Sequence, residues 1–530
     1  MAEQATQHLV HLTIEDVPVS VPKGTMLLEA AKQAGVLIPH YCYHPGLPVA
    51  GVCRMCLVEV ENMPKLQIAC ATPVAEGQVV KIFTEPAKDA RKSVLEFLLI
   101  NHPLDCPICD QAGECELQDY VFQEGRARTR YTPTYPKRFN PVEDFGGDVL
   151  YVPNRCILCT RCVRFMDHVA DDPVLNVSER GDRAFIGIHE HRALDHPWAG
   201  NVVELCPVGS LVSRDFLHKA RAWELDKHQS ICTGCSQGCN VMMETRQNTV
   251  IRLRPRPNLE VNRYFMCDHG RLDYRWMNRR DRIEAPLVAR DGELHATDWD
   301  HALQRTAEIV AGTGGPAVVL ASPRASTEAL FLARAVAGDG FAGAFRVERV
   351  EEEHPLPGVP NLALRTERAP NVRGAELLGY REAFDETVRS LGEAGLVLVV
   401  DDALDGVPAA ALEAAGNLVY VGTVLPDAAR GAAVVLPVAN VAEEDGTFIN
   451  RDGRVQRYFQ GTAAPGMARP AWWVFGEVLA ELGRGEPLTS VDEAFDRLAA
   501  DMDALRGLTF HGLGAAGRVP GQAAPAGATA

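Results

Sequence analysis

Alternation of apolar and polar residues predicts a β-hairpin at the start of the chain. Residues 10–21 alternate and are interrupted near Asp16–Pro18, a pattern typical of two strands joined by a turn. A helix is predicted over residues 26–34, which Thr25 can cap and Gly35 ends. A second amphipathic helix is predicted over residues 93–101, followed by a loop that carries cysteines.

The C-terminal half alternates short apolar runs with helical stretches. We expect a helix at Thr327–Ala337 and strands at Ala317–Ala321, Leu396–Val400, Leu418–Val421 and Ala433–Leu436. Alternating strands and helices predict a parallel α/β sheet. Gly338, Gly340 and Gly343 match the spacing of a dinucleotide-binding motif, but they follow a helix rather than a strand, so we predict no such site there.

Composition and charge narrow the class of protein. The chain has 530 residues, 46% of them hydrophobic and 23% charged, as in globular proteins of several domains. Its 53 basic and 70 acidic residues give a net charge of −17, which argues against nucleic acid as a partner. The polar start has no signal-peptide pattern, and no apolar run reaches the ~18 residues of a membrane span. We expect an unexported protein whose fifteen cysteines are metal ligands rather than disulfides.

The fifteen cysteines fall into four spaced sets, and one histidine completes the second of them. The sets are Cys42, Cys53, Cys56 and Cys70; His102, Cys106, Cys109 and Cys115; Cys156, Cys159, Cys162 and Cys206; and Cys232, Cys235, Cys239 and Cys267. Four ligands in each of four sets is what four iron–sulphur clusters require. A row of clusters on one chain conducts single electrons, so the pattern predicts electron transfer.

The first set follows a hairpin and a helix, the order found in plant-type ferredoxins. Its first gap is ten residues rather than the four of the plant-type motif. Gly46, Pro48 and Gly51 suit a loop that wraps a binuclear cluster and offers backbone N–H groups to its sulphurs. The alternatives are a zinc site and a redox-active pair formed by Cys53 and Cys56.

The second set has only three cysteines, which leaves one iron of a tetranuclear cluster without a ligand. His102 precedes Cys106 by four residues and lies at the end of the predicted helix, because Pro103 follows it. We therefore predict that His102 is the fourth ligand. The competing oxygen ligands are Asp105, Asp110 and Asp119.

The third set contains half of a bacterial ferredoxin motif. Cys156, Cys159 and Cys162 are spaced C-x2-C-x2-C, and Cys206-Pro207 supplies the C-P signature far downstream, which fits one tetranuclear cluster. Three arginines on the same turn favour the reduced cluster, or else face solvent or a partner: Arg155, Arg161 and Arg164. In the fourth set, Cys232 to Cys267 lack the second C-x2-C knuckle of a zinc ribbon, so we predict a cluster over zinc.

In this order, the first three motifs resemble the large iron–sulphur subunit of respiratory complex I, over residues 8–280. The fourth looks like the additional cluster of some bacterial members, equivalent to the N-terminal cluster of molybdopterin oxidoreductases. The resemblance implies one [2Fe–2S] and three [4Fe–4S] clusters. It also implies electrons arriving from a flavin-bearing, NADH-binding subunit and leaving to a downstream iron–sulphur subunit toward quinone, with proton translocation in the complex. The fourth cluster is expected off this route.

The same resemblance implies a peripheral location on the cytoplasmic face of a bacterial inner membrane, with no substrate site on this chain. The segment Glu444–Gln456 resembles a loop of the molybdopterin-oxidoreductase fold. No cysteine remains to bind molybdenum, and His269 stands where those enzymes carry a lysine between cluster and pterin. We expect a structural remnant without molybdopterin.

The expected fold is multi-domain, α+β and α/β: a ferredoxin-like β-grasp, cysteine-rich iron–sulphur domains, and a molybdopterin-oxidoreductase-like α/β domain. The boundaries are 1–85, 86–140, 141–224, 225–285, 286–511 and a disordered tail at 512–530. The alternatives in function are a molybdenum formate dehydrogenase subunit, a subunit of a hydrogenase's diaphorase arm, and a zinc-binding scaffold. The basic segments 126–138 and 252–256 are interpreted as solvated or as facing a partner subunit.

Overall fold

A computed structural model describes residues 8–131 and 140–521. The chain divides into two compact units, residues 1–224 with 356–360, and residues 225–355 with 361–530. Each unit is described by itself.

The first unit begins with a β-grasp domain. Its elements are β1 Leu9–Ile14, β2 Val17–Pro22, α1 Leu27–Gln33, β3 Leu57–Val60, β4 Gln67–Ile68 and β5 Val79–Lys81. The sheet order is β2-β1-β5-β3-β4, with the predicted hairpin β1–β2 antiparallel and β1–β5 parallel. The predicted cap at Thr25 is wrong: Met26 is the N-cap, and the Thr25 hydroxyl donates instead to the carbonyl of Pro22 (2.7 Å).

Two helices follow, α2 Glu85–Asn101 and α3 Glu116–Glu124. The predicted helix over 93–101 is the last half of α2, which buries a stripe formed by Ala87, Arg91 and Leu95 at four-residue spacing. Because this buried stripe includes a charged residue, Arg91, the apolar periodicity of residues 85–92 is broken, and the first half of the helix was not predicted. Helix α2 ends at His102, as predicted.

The rest of the first unit is built of short elements. These are β6 Glu143–Gly146, β7 Val149–Tyr151, α4 Arg161–His168, β8 Leu175–Ser178, β9 Phe185–Ile188, α5 Asn201–Leu205 and β10 Leu211–Ser213. They form a sheet ordered β10-β7-β6 and a separate hairpin of β8 and β9. The buried side chains of Phe145, Tyr151, Phe165 and Trp198 fill this region.

The second unit opens with an antiparallel meander and a short helix, β11 Asp226–Ile231, β12 Asn240–Arg246, β13 Thr249–Pro255 and α6 Asp268–Leu272. The elements that follow are β14 Leu287–Arg290, β15 Glu293–Ala296, α7 Trp299–Gly312, β16 Ala317–Ala321, α8 Thr327–Ala337, β17 Ala342–Phe345, β18 His354–Pro355, β19 Ala363–Leu364, α9 Val372–Leu377, α10 Phe384–Arg389, β20 Leu396–Val400, α11 Ala409–Glu413, β21 Leu418–Gly422, β22 Val434–Pro437, β23 Gly446–Ile449, β24 Val455–Tyr458, α12 Ala471–Glu481 and α13 Val491–Asp501.

A seven-stranded sheet organises this unit, in the order β15-β14-β22-β21-β20-β16-β17. Strands β22, β21, β20 and β16 are parallel, as predicted. Strand β17, which was not predicted, pairs parallel with β16, and β14 pairs antiparallel with β22. Strand β20 buries Leu396, Leu398 and Val400 in one core and Val397 and Val399 in another. Burial on both faces is why these strands appear in the sequence as unbroken apolar runs.

The segment Glu444–Gln456, predicted as a loop, contains most of an antiparallel hairpin of β23 and β24. All four residues of β23 are buried, so the hairpin lacks the alternation that would have revealed it. At the start of the predicted tail, Arg518 pairs with Val455, and the carbonyl of Ala515 accepts a hydrogen bond from Arg256 (2.9 Å). Residues 522–530 lie outside the described parts of the chain.

Candidate metal centres

All fifteen cysteines are free thiols. Twelve are buried, Cys53 and Cys156 are partly exposed, and Cys106 is exposed. Free thiols gathered inside a protein are available as ligands, because no disulfide competes for them.

The four cysteines of the first set lie together in the β-grasp domain. The thiol of Cys42 contacts those of Cys53 and Cys70, and Cys56 contacts Cys70. The Cys42 backbone N–H points at the Cys53 sulphur (3.4 Å). Hydrogen bonds from Cys53 and Cys70 lower the pKa of the Cys42 thiol, and the same contacts raise the pKa values of Cys53 and Cys70, so the negative charge in this group is concentrated on Cys42.

The second set lies between helices α2 and α3. His102 is the C-cap of α2 and Cys115 the N-cap of α3. Together with Cys106 and Cys109 they line one cavity of about 300 Å³. Burial raises the pKa of Cys115 to about 11 and also raises that of Cys109. The structure therefore brings the four predicted ligands of this set around one space.

The competing aspartates of the second set have other partners or positions. Asp105 lines the same cavity as His102 and forms an ion pair with Arg155 (2.9 Å), so it remains an alternative ligand. Asp110 accepts a hydrogen bond from the backbone N–H of His218 (2.9 Å). Asp119 is exposed on α3.

The third set gathers around helix α4. Cys162 lies in the first turn of α4, Cys159 precedes that helix, and Cys206 is the C-cap of α5. Burial raises the pKa of Cys159 to about 12 and that of Cys206 to about 11. After burial, negative charge at Cys159, Cys156 and Cys206 raises the pKa of Cys162 further, which shows that the four thiols are neighbours.

The fourth set is the most enclosed. Cys232 follows β11, Cys239 precedes β12, and Cys267 caps α6 by accepting a hydrogen bond from the backbone N–H of Gly270 (3.4 Å). Burial raises the pKa of Cys232 to about 12. Burial and negative charge at Cys232, Cys235 and Cys267 raise the pKa of Cys239 well above its usual value.

The side chains of the four sets have the chemistry that iron–sulphur clusters require of their ligands. Buried thiols with raised pKa values become thiolates only where positive charge compensates them, as bound iron does. Two glycines leave space beside sulphurs: a Cβ on Gly209 would collide with the Cys109 sulphur, and one on Gly270 would lie 2.5 Å from that of Cys232. Among the described residues, no three His, Cys, Asp or Glu side chains are grouped so as to hold a single metal ion. A cluster distributes its ligands over several irons, so they need not converge on one point.

Two residues near the sets were not singled out from the sequence. The Tyr151 hydroxyl contacts the thiol of Cys156. The Arg221 guanidinium donates to the carbonyls of Cys109 (2.6 Å) and Pro107. No local signal identifies such residues, since Arg221 is 112 residues from Cys109.

The basic segments of the sequence pair with carboxylates of the same chain. Arg126 and Arg130 form ion pairs with Glu96 (3.5 and 2.5 Å). Arg252 pairs with Glu244. Three further predicted members of the first segment, Tyr135, Lys137 and Arg138, lie outside the described residues.

Family models match the chain in the same order as the four sets. Residues 7–85 match a 2Fe-2S iron–sulphur cluster binding domain, and residues 91–130 match the NADH-ubiquinone oxidoreductase-G iron–sulphur binding region. Residues 146–212 match the ferredoxin-like domain of NADH-quinone oxidoreductase subunit 3. Residues 225–279 match the molybdopterin oxidoreductase Fe4S4 domain, and residues 394–481 match molybdopterin oxidoreductase. The predicted fold class is thereby confirmed, with segments similar to 2Fe-2S and 4Fe-4S domains.

Curated relatives agree with these matches. The chain is 45% identical over 298 residues to the mitochondrial NADH-ubiquinone oxidoreductase 78 kDa subunit of Neurospora crassa, covering 56% of this chain and 40% of that protein. It is 38% and 39% identical over 325 residues to the NADH-quinone oxidoreductase G subunits of Rickettsia bellii and Streptomyces coelicolor, covering 61% of this chain and 47% and 38% of those proteins. The alignments thus span less than half the length of these relatives.

A chain of an NAD+-reducing [NiFe]-hydrogenase in the H2-reduced state is 30% identical, with a TM-score of 0.36, and the match covers 40% of this chain and 90% of that one. None of the helices in the described residues has the length and apolar character needed to cross a membrane.

Proposed function

Because the NADH–quinone and NADH-ubiquinone oxidoreductase subunits that the chain matches confirm the resemblance to the large iron–sulphur subunit of respiratory complex I, we propose that the chain relays single electrons within an NADH–quinone oxidoreductase. It receives them from a flavin-bearing, NADH-binding subunit and passes them to a downstream iron–sulphur subunit toward quinone. Proton translocation is a property of the whole complex. The chain reaches the cytoplasmic face of a bacterial inner membrane through these partners.

One observation carries the proposal. All fifteen cysteines, with His102, are distributed over four places, and each place lies in a segment matched by a different iron–sulphur family model. No cysteine remains for a nucleophile or a disulfide. The corresponding cluster domains are residues 1–85, 86–140, 141–224 and 225–285.

The proposed cofactors are one [2Fe–2S] and three [4Fe–4S] clusters. Cys42, Cys53, Cys56 and Cys70 would hold the binuclear cluster. The tetranuclear clusters would be held by His102, Cys106, Cys109 and Cys115; by Cys156, Cys159, Cys162 and Cys206; and by Cys232, Cys235, Cys239 and Cys267. When bound, the clusters supply one-electron chemistry at iron.

The chain's own residues would set the potentials. Burial keeps water from most of the thiolates, and a dry site disfavours the added negative charge of reduction. Arg164 opposes that effect, because it is buried beside the third set with no carboxylate partner among the described residues, whereas Arg155 and Arg161 are paired with Asp105 and Glu116. We further propose that the α/β domain binds no molybdopterin and has a structural role.

A metal and sulphide count on the purified full chain, with EPR, tests the proposal. One binuclear and three tetranuclear clusters together require about fourteen irons per chain, with matching acid-labile sulphide. Zinc in place of iron would support the scaffold alternative, and zinc confined to one set would refute that set alone. A pterin in the same preparation would contradict the structural role of the α/β domain and favour a molybdenum enzyme.

A further inference from the structure

Arg164 lies between two of the four ligand sets. It is in helix α4, two residues after Cys162, and its guanidinium donates to the carbonyl of Cys42 in the first set (2.5 Å) and to that of Cys159 in the third (3.3 Å). It also donates to the carbonyls of Pro48 and Thr160. One side chain therefore holds the backbone of both ligand loops.

The charge of Arg164 is buried, and its partners are neutral. The residue is 8% exposed, and in the described parts of the chain no carboxylate forms an ion pair with it. An unpaired buried charge is costly unless other charges compensate it. The guanidinium bridges the loops of the first and third sets, where the negative charge of bound clusters would lie, so those two sites are where a compensating charge would come from.

We propose that Arg164 couples the first and third sets electrostatically, so that its charge raises the reduction potentials of both clusters together. The inference rests on the proposed function. Reduction adds one negative charge to a cluster, and a fixed cation between two clusters stabilises the reduced form of each. Because the cation is shared, its loss must affect both clusters and in the same direction.

Arg161, one turn earlier in α4, provides a matched control. Its guanidinium donates to the carbonyls of Tyr43 (2.8 Å) and Leu205 (3.3 Å), which adjoin Cys42 of the first set and Cys206 of the third. Unlike Arg164, it is paired with a carboxylate, Glu116 (3.0 Å). Replacing that ion pair by two neutral side chains removes similar hydrogen bonds without changing the net charge.

The test compares three variants of the full chain, in the assembly from which it is purified, by EPR-monitored redox titration. The variants are Arg164→Gln, Arg164→Lys and the double variant Arg161→Gln/Glu116→Gln. We expect Arg164→Gln to lower the midpoint potentials of the binuclear cluster and of the third-set cluster. Arg164→Lys keeps the charge and should restore both, and the double variant should change them much less than Arg164→Gln.

Unchanged potentials in Arg164→Gln, or a change in one cluster only, would overturn the inference. A double variant that lowers both potentials as far as Arg164→Gln would also overturn it, because hydrogen bonds rather than charge would then be responsible. If Arg164→Gln loses its clusters, the Arg164→Lys variant becomes the test. Wild-type potentials in Arg164→Lys would support the role of the charge, and loss of the clusters in Arg164→Lys would refute that role. A wild-type chain without iron would instead refute the proposed function, before any variant is compared.

Discussion

Glu328 makes the stability of the second unit depend on pH. Its side chain is fully buried in helix α8 and accepts hydrogen bonds from the Thr447 backbone N–H (3.0 Å) and hydroxyl (2.8 Å). Burial raises its pKa from 4.5 to about 7. The unfolded chain therefore releases this proton more easily than the folded one.

The sign and size of the effect follow from that difference. Below pH 4.5 Glu328 is protonated in both states, so its contribution to stability is fully present. As the pH rises from about 4.5 to about 7, the unfolded state ionises first and stability is lost. A rise of the pKa from 4.5 to about 7 corresponds to a loss of about 3 kcal/mol of unfolding free energy by pH 8. Glu444, whose pKa is raised by burial to about 8, adds a loss of the same sign.

Glu328→Gln removes the ionisable group and preserves the shape of the side chain. We expect the variant to match the wild type near pH 4.5 and to exceed it by about 3 kcal/mol at pH 8. That is roughly 6 °C in the calorimetric melting temperature of the second unit. The measurement is a pair of melting-temperature profiles between about pH 4.5 and 8.

Glu308→Gln is the matched control, because this glutamate lies in the same unit with its side chain 65% exposed in an ion pair with Arg305. An exposed pair contributes little, so its profile should parallel that of the wild type. If Glu328→Gln also ran parallel to the wild type at every pH, the buried carboxyl would not carry the pH dependence and the argument would be wrong.

Three further predictions concern the ligand sets and the second unit. His102→Cys should keep a tetranuclear cluster but lower its reduction potential, because a thiolate adds negative charge, and His102→Ala should make that cluster labile. If the EPR signal and the potential are unchanged in both variants, His102 is not the ligand, and Asp105 or Asp110 becomes the next candidate. Cys267→Ser should impair assembly or stability more than NADH–quinone turnover; normal assembly with lost turnover would place the fourth set on the main route. Arg282→Met should destabilise the second unit by about 3–5 kcal/mol, because it leaves the Glu443 carboxylate, which the Arg282 guanidinium binds at 2.7 and 2.8 Å, as a buried unpaired charge. Denaturant unfolding of this variant and of Arg282→Met/Glu443→Leu tests the prediction. An equally large loss of stability in the double variant would contradict the charge argument.

The sequence by itself determined the elements whose signal is local. Strands β16 and β20 were predicted to the residue because both faces of the sheet are covered, which requires an unbroken apolar run. The spacing of the cysteines is a local signal of the same kind, because a loop that wraps a cluster fixes the intervals between its ligands, and the assignment of the four ligand sets stays a prediction. The helix ending before His102 was located by Pro103, which disfavours helical backbone in the residue before it.

Only the tertiary structure decided which distant residues meet. The contact of Arg164 with the Cys42 carbonyl spans 122 residues, and that of Arg221 with the Cys109 carbonyl spans 112. The β23–β24 hairpin was missed because all four residues of β23 are buried, which removes the alternation of apolar and polar residues. The first half of α2 was missed because a buried arginine, Arg91, interrupts its apolar face. Local sequence encodes the type of ligand and the secondary structure. The charges around each ligand set come from segments that are distant in sequence and become neighbours only when the chain folds.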